Sequence, residues 1–125
     1  METIIITFQL DGITEAAYAA LCEEIAPTFA EVEGLHSKVW LADRTTNTYG
    51  GVYAFASAAD VDRFMSSQLF ADIGAHPNLA GFSVQRFQTL DEPTRKKFRH
   101  DKKARHAEVC RRAIEKLDEF LAVHV

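Results

Sequence analysis

No stretch of this 125-residue chain stays apolar for anything near the ~20 residues that a membrane-crossing helix needs. The opening METIIITFQLDG has no basic region ahead of its short apolar run, so no secretory signal is expected and a cytoplasmic location is. Cysteine is scarce. Cys22 and Cys110 stand far apart in segments of helical pattern, where neither a disulfide framework nor a metal-binding pair is expected. Also missing are GxGxxG, a P-loop, a nucleophile elbow, HExxH and CxxC, which removes the motif-bearing routes to dinucleotide, phosphate, serine-ester, zinc and dithiol chemistry. The five histidines show no metal-ligand spacing, although His36 or His76 could ligate haem or a metal ion. No cofactor is therefore expected first.

Basic residues are scarce over most of the chain. Residues 1–94 hold four Lys and Arg against thirteen Asp and Glu, whereas 95–125 hold ten against five. The change falls beside Pro93, so the chain divides into a body, 1–94, and a C-terminal appendage, 95–125. With 47% hydrophobic and 26% charged residues the body has an ordinary globular makeup and can bury a real core.

Ile4 to Leu10 alternates as a strand, with Ile4, Ile6, Phe8 and Leu10 on one face. Asp11-Gly12 turns the chain, and Thr14 caps a helix with Ala17, Leu21, Ile25 and Phe29 at helical spacing. Pro27 is expected to bend or restart that helix near Ala26, and Gly34 to stop it. Leu35 to Ala42 reads as a second strand and Tyr49 to Ala56 as a third. Ser57 or Asp60 caps a helix using Val61, Phe64 and Met65, a short apolar piece runs from Leu69 to Ile73, and Phe82 to Leu90 is a fourth strand.

The order βαββαβ predicts an α+β, ferredoxin-like sandwich, a four-stranded antiparallel sheet with both helices on one face and strands one and three central. Strand three, TYGGVYAFAS, then raises a difficulty, because neither of its faces is polar. Helices over small Val52, Ala54 and Ala56 would leave Tyr49, Tyr53 and Phe55 uncovered, and an aromatic patch of that size calls for a second subunit. Two such sheets face to face form a dimeric α+β barrel.

Lys38-Val39-Trp40, the run Gly50-Gly51-Val52-Tyr53-Ala54-Phe55 and Asp91-Glu92-Pro93 closing strand four resemble the bacterial YdhR-type family of proposed monooxygenases, within the dimeric α+β barrel superfamily. The resemblance covers about residues 3 to 94. It implies a homodimer and a superfamily in which cofactor-independent monooxygenases oxidise quinols, anthrones and related aromatics with dioxygen. Haem-dependent enzymes and lactone isomerases share that superfamily, so the fold alone does not select a reaction. The appendage after Thr94 departs from the family.

If Leu35, Val39 and Leu41 face the helices, then His36, Lys38 and Trp40 face a cavity with Tyr49, Tyr53 and Phe55. By the same parity Thr7 and Gln9 line it from strand one, with Gln85 and Phe87 from strand four. One bulge would reverse these registers. Such a set suits a flat aromatic ligand bearing hydroxyl or carbonyl groups. Cofactor-free oxygenation needs a base, donors for an anion and a dry pocket. His36 is the expected base and Lys38 the stabiliser of an enolate or phenolate. Trp40, Tyr53 and Phe55 would hold the ring, and Tyr53 or Gln85 would bond an oxygen. Equally, those aromatics could be dimer core alone and Lys38 an edge-strand charge that discourages aggregation. His76 beside Pro77 reads as loop, from which it could reach a ligand at a barrel mouth.

The appendage reads as a long helix, basic from Arg95 to Arg105 and then striped by Cys110, Ala113, Ile114, Leu117, Phe120 and Leu121. The basic run lacks aromatic interleaving, and its charge and apolar stripe follow one another in sequence, so neither nucleic acid nor a membrane surface is expected. The stripe could join subunits into a higher oligomer. The reading is a homodimeric monooxygenase acting on a small aromatic or polyketide-like compound. A non-catalytic binding or assembly protein and a lactone isomerase or cyclase remain open.

Overall fold

The structure, a computed structural model, describes residues 1–94 and 103–124, with the backbone alone for 103–109, 123 and 124. Its strands are β1 (Glu2–Leu10), β2 (Leu35–Asp43), β3 (Thr48–Phe55) and β4 (Leu79–Gln88). The helices are α1 (Glu15–Ala30), α2 (Ala58–Met65), α3 (Gln68–Ala75), α4 (Asp91–Thr94) and α5 (Lys103–His124). The sheet is antiparallel in the order β2-β3-β1-β4, so the two most apolar strands are central, as a ferredoxin-like α+β fold requires.

Local chemistry accounts for the helix ends. Thr14 Oγ1 accepts from the Ala17 N–H at 3.1 Å and Glu15 sits in the first turn of α1, where its charge meets the positive end of the dipole. Ser57 and Ser67 do the same for α2 and α3. The apolar piece at Leu69–Ile73 is thus a separately capped helix. Pro27 lies inside α1, which does not restart but runs on to Ala30. The residue removes one backbone hydrogen bond, and only three helical residues follow it.

The core lies between the sheet and the helices. Ile4, Ile6 and Phe8 of β1 and Tyr49, Tyr53 and Phe55 of β3 are buried there with Tyr18 and Phe29 of α1 and Val61 and Phe64 of α2. This reverses the expected faces of β3. The aromatic side, not the small Val52, Ala54 side, meets the helices, because only the helices offer those rings cover within one copy of the chain. The β1–β3 register agrees, with Ile4 opposite Tyr53 and Phe8 opposite Tyr49.

The face of β2 is reversed for a different reason. Between β2 and β3, Leu35 pairs with Phe55 and Ser37 with Ala54, so His36 is an extra residue, a β-bulge. Leu35 still points to the core, but beyond the bulge the parity flips. Lys38 and Trp40 come to the helix side opposite Tyr53 and Gly51, and Val39 is left 57% exposed on the other face. That other face carries Ile5, Leu41, Val39, Val52 and Phe87 with no helix of the body over it.

The chain divides into two compact units, 1–91 and 92–125. In the second, Ile114, Leu117, Phe120 and Leu121 of α5 are exposed, and Arg111 pairs with Glu115 one turn on at 2.9 Å. The basic run 95–105 lies outside the described residues apart from the backbone of 103–105.

Gly50 adopts φ +148°, and a Cβ there would lie 1.8 Å from the backbone oxygen of Ile6. Gly50→Ala is expected to cost at least about 1–3 kcal/mol in backbone strain alone, before the collision with β1 is counted. Urea unfolding checks this, and an unchanged midpoint would contradict it.

Candidate functional site

Between α1, α3 and the sheet lies a cavity of about 270 Å³. That is just below the usual range for ligand pockets, roughly 300 to 1,000 Å³, and suits a compact ligand. Phe8, Trp40 and Tyr53 form much of its sheet side, Leu21 and Ile25 part of its α1 side, and Leu69, Ile73 and Leu79 close it toward α3. Six polar side chains enter this apolar shell: Tyr18 and Cys22 from α1, Lys38 from β2, Tyr53 from β3, and Asp72 and His76 from α3 and the turn after it.

Lys38 is the unusual member. Its stem lies under α1 and its Nζ stands 3.2 Å from the Trp40 ring centroid, 3.3 Å from Phe29 and 4.7 Å from Tyr53. Gly51 makes room for this, because a Cβ there would be 3.2 Å from both Lys38 Cε and Tyr53 Cε1. Among the described residues no carboxylate lies within ion-pair distance of Lys38. Burial pushes the amine down to about 7, while the nearby Cys22 thiol acts in the opposite sense. The ring faces also favour the charged form, so Lys38 is poised between ammonium and amine.

The two phenols are held neutral. Burial raises Tyr53 far above the usual tyrosine range, and burial followed by a hydrogen bond to Cys22 does so for Tyr18. Tyr18 donates to Cys22 one turn along α1. The Cys22 thiol is raised by its own burial, against that hydrogen bond and the charge of Lys38. At neutral pH the Tyr18 proton is thus engaged with Cys22, and the Tyr53 hydroxyl keeps its proton and is a hydrogen-bond donor.

His76 closes the cavity at the end of α3. Its Nδ1 accepts the backbone N–H of Asn78 at 3.1 Å, so in the neutral ring the hydrogen resides on Nε2. In this arrangement His76 can offer a hydrogen bond through Nε2 but cannot take a proton there. Asp72 accepts from Gln68 Nε2 at 2.7 Å.

The residues singled out in the sequence are therefore dispersed. Lys38, Trp40 and Tyr53 meet at the cavity. Phe55 is fully buried in the core beside Phe64, and Tyr49 lines a groove between α1 and β2, its hydroxyl donating to Glu15 at 3.1 Å. His36, at the bulge, is exposed in a shallow depression outside the cavity. Thr7, Gln9, Gln85 and Phe87 lie on the opposite face of the sheet: Thr7 and Gln9 alternate with buried Ile6 and Phe8, Gln85 pairs with Ile5, and Phe87 pairs with Thr3. Tyr18, Cys22 and Asp72 had not been singled out. For the first two the signal was present: Tyr18, Cys22, Ile25 and Phe29 recur at helical spacing one position from the stripe that begins at Ala17, which is exposed. Among the described residues no group of three or more His, Cys, Asp or Glu side chains could hold a metal ion, and no helix is long and apolar enough to cross a membrane.

A protein family described as "Putative mono-oxygenase ydhR" matches residues 3–98. No match to a curated protein is found. Among solved structures, a protein of unknown function from Nitrosomonas europaea is 18% identical with a TM-score of 0.61, over 78% of this chain and 93% of that one. A Mycobacterium tuberculosis protein is 17% identical with a TM-score of 0.59, over 73% and 96%. SnoaB, a cofactor-independent oxygenase from Streptomyces nogalater, is 22% identical with a TM-score of 0.57, over 73% and 97%. These likenesses are of fold.

Because the Lys38 amine is less basic folded than unfolded, the cost of keeping it charged is fully present below about pH 7 and fades as pH rises toward the unfolded value of about 10.4. Lys38→Met is expected to raise the melting temperature at about pH 6 and to lose most of that gain by about pH 9.5. An equal effect at both would contradict the burial argument.

Proposed function

This chain belongs to the ydhR mono-oxygenase family, and we propose that it is a cofactor-independent monooxygenase for a compact aromatic or polyketide-like compound bearing an acidic hydroxyl or methylene. The observation that carries the proposal is an amine of lowered basicity facing an aromatic-walled cavity with two neutral phenols. SnoaB, described as a cofactor-independent oxygenase, lends support through its shared fold.

The chain's own residues suggest the steps. The substrate ring lies against Trp40 and Tyr53. Neutral Lys38 takes the acidic proton, and the ammonium so formed remains beside the new anion with its charge shared among the rings of Phe29, Trp40 and Tyr53. Tyr53 and the Nε2–H of His76 donate to the substrate's oxygens. The electron-rich anion then passes an electron to dioxygen and the two radicals combine. For an anthrone-type methylene, one oxygen atom becomes the new carbonyl and the other leaves as water with the two methylene hydrogens. In this reading the base is Lys38, not His36, which is solvent-exposed at the bulge.

The protein works as a homodimer in this proposal, with Ile5, Val39, Val52 and Phe87 of the open sheet face meeting those of a second copy. Val39 on one edge strand of that face and Phe87 on the other are 57% and 50% exposed, so apolar surface reaches both edges of the open sheet face. Light scattering should give twice the chain mass for the wild type and the single mass for Val39→Glu combined with Phe87→Glu. A monomeric wild type would remove this element.

Dioxygen uptake with chelator-treated protein and a panel of quinols and anthrones tests the chemistry. Lys38→Met should lower the rate by about 10²–10⁴, while His36→Ala leaves it unchanged. Uptake no faster than without protein, or unaffected by loss of the amine, would overturn the reading.

A further inference from the structure

We propose that Lys38 is also a covalent capture site for aromatic aldehydes and ketones, holding them in the cavity as an imine. The inference uses the placement of the amine and needs no dioxygen chemistry, so it stands or falls apart from the oxygenase reading.

Three observations carry it. First, Lys38 has a cavity in front of it large enough for a ring, walled by Trp40, Tyr53 and Phe8. A flat carbonyl compound stacked there would lie within reach of Nζ. Second, the amine is held without a carboxylate partner among the described residues. A salt bridge would fix it as ammonium, whereas ring faces hold it by a weaker attraction that both forms tolerate. Third, the site supplies what the condensation asks for besides the amine. Attack of the neutral nitrogen on the carbonyl carbon forms a C–N bond and leaves an alkoxide. The neutral phenol of Tyr53 and the Nε2–H of His76 are donors for that oxygen. The oxygen then departs as water with the two hydrogens of the amine nitrogen, giving C=N; no electrons are gained or lost.

The titratable groups around Lys38 bear on the nitrogen's protonation. From α1 it faces Cys22 and Tyr18, from β3 Tyr53, and Asp72 and His76 enter the same cavity from α3 and its turn. Only an ionised Cys22 and Asp72 would favour the ammonium. The thiol is raised by burial, and the carboxylate lies outside ion-pair distance. A desolvated lysine of this kind is the form that serves as a nucleophile at neutral pH.

The test is reductive trapping with 2-naphthaldehyde and cyanoborohydride under nitrogen at pH 7, read by peptide mapping of the wild type. Cyanoborohydride delivers hydride to the imine carbon and leaves a stable secondary amine on the lysine that reacted. Modification of Lys38 should run roughly a hundredfold faster than that of any other lysine, because only about one ordinary lysine in a thousand is neutral at that pH. Its rate should level off near neutrality instead of climbing to about pH 10. 2-Naphthalenemethanol, the same ring without the carbonyl, should slow it, and Cys22→Ser should still be labelled at Lys38. Labelling shared evenly with the other lysines, a Lys38 rate that keeps climbing with pH as theirs does, or indifference to the alcohol would overturn the proposal. Lys38→Arg should lose the adduct, but the mapping of the wild type decides the matter without it.

Discussion

The burial of one lysine stem among ring faces is the constraint on which the rest of the body depends. Phe29 from α1, Trp40 from β2 and Tyr53 from β3 surround Lys38 Nζ. Phe29 and Tyr53 in turn contact Phe64 of α2, with ring centroids 6.4 and 5.6 Å apart, and Phe64 contacts Phe70 of α3 at 5.5 Å. The rings thus form a continuous layer that joins α1, α2 and α3 to the sheet. Rings of this size hold α1 away from the backbone below it, and the space left between is the cavity. Packing and function share a cause here: the side chains that make the core are the ones that prevent it from closing.

Glycine completes the arrangement. Gly51 stands on the helix-facing side of β3 between two tyrosines, and its missing side chain is where the Lys38 stem and the Tyr53 ring come together. The GG pair in the middle of an aromatic strand is therefore explained by two separate demands, backbone conformation at Gly50 and side-chain room at Gly51.

The strand order and the caps of α1 and α2 were legible in the sequence, from alternation in β1, Thr14 and Ser57 before the helices, and Gly and Asp in the turns, whereas α3 with its cap at Ser67 read only as a short apolar piece. What could not be read was which face of β2 and β3 meets the helices. β3 has two apolar faces, so alternation carries no direction, and its assignment depends on what covers it. For β2 the deciding residue is His36, whose extra place in the strand reverses every side chain after it. Reading Lys38 and Trp40 together with Tyr53 survived both errors, because the three share a face whichever way the sheet is turned. The members contributed by helices were missed where one residue of phase mattered, Tyr18 instead of Ala17, and where no regular pattern exists, as at Asp72.

α3 contributes the third wall of the cavity under different rules from the sheet. It is eight residues long, carries its own cap at Ser67, has no fully buried residue, and places Leu69, Asp72 and Ile73 at the cavity with His76 just beyond its end. The cavity residues of β3 sit beside core rings of the same strand, whereas Leu69, Asp72 and Ile73 of α3 are only partly buried or exposed. The wall over Lys38 is therefore set by a short helix whose cavity residues are partly exposed, so substitutions at Leu69, Asp72 and Ile73 would reshape the space in front of the amine while leaving the sheet that carries it in place.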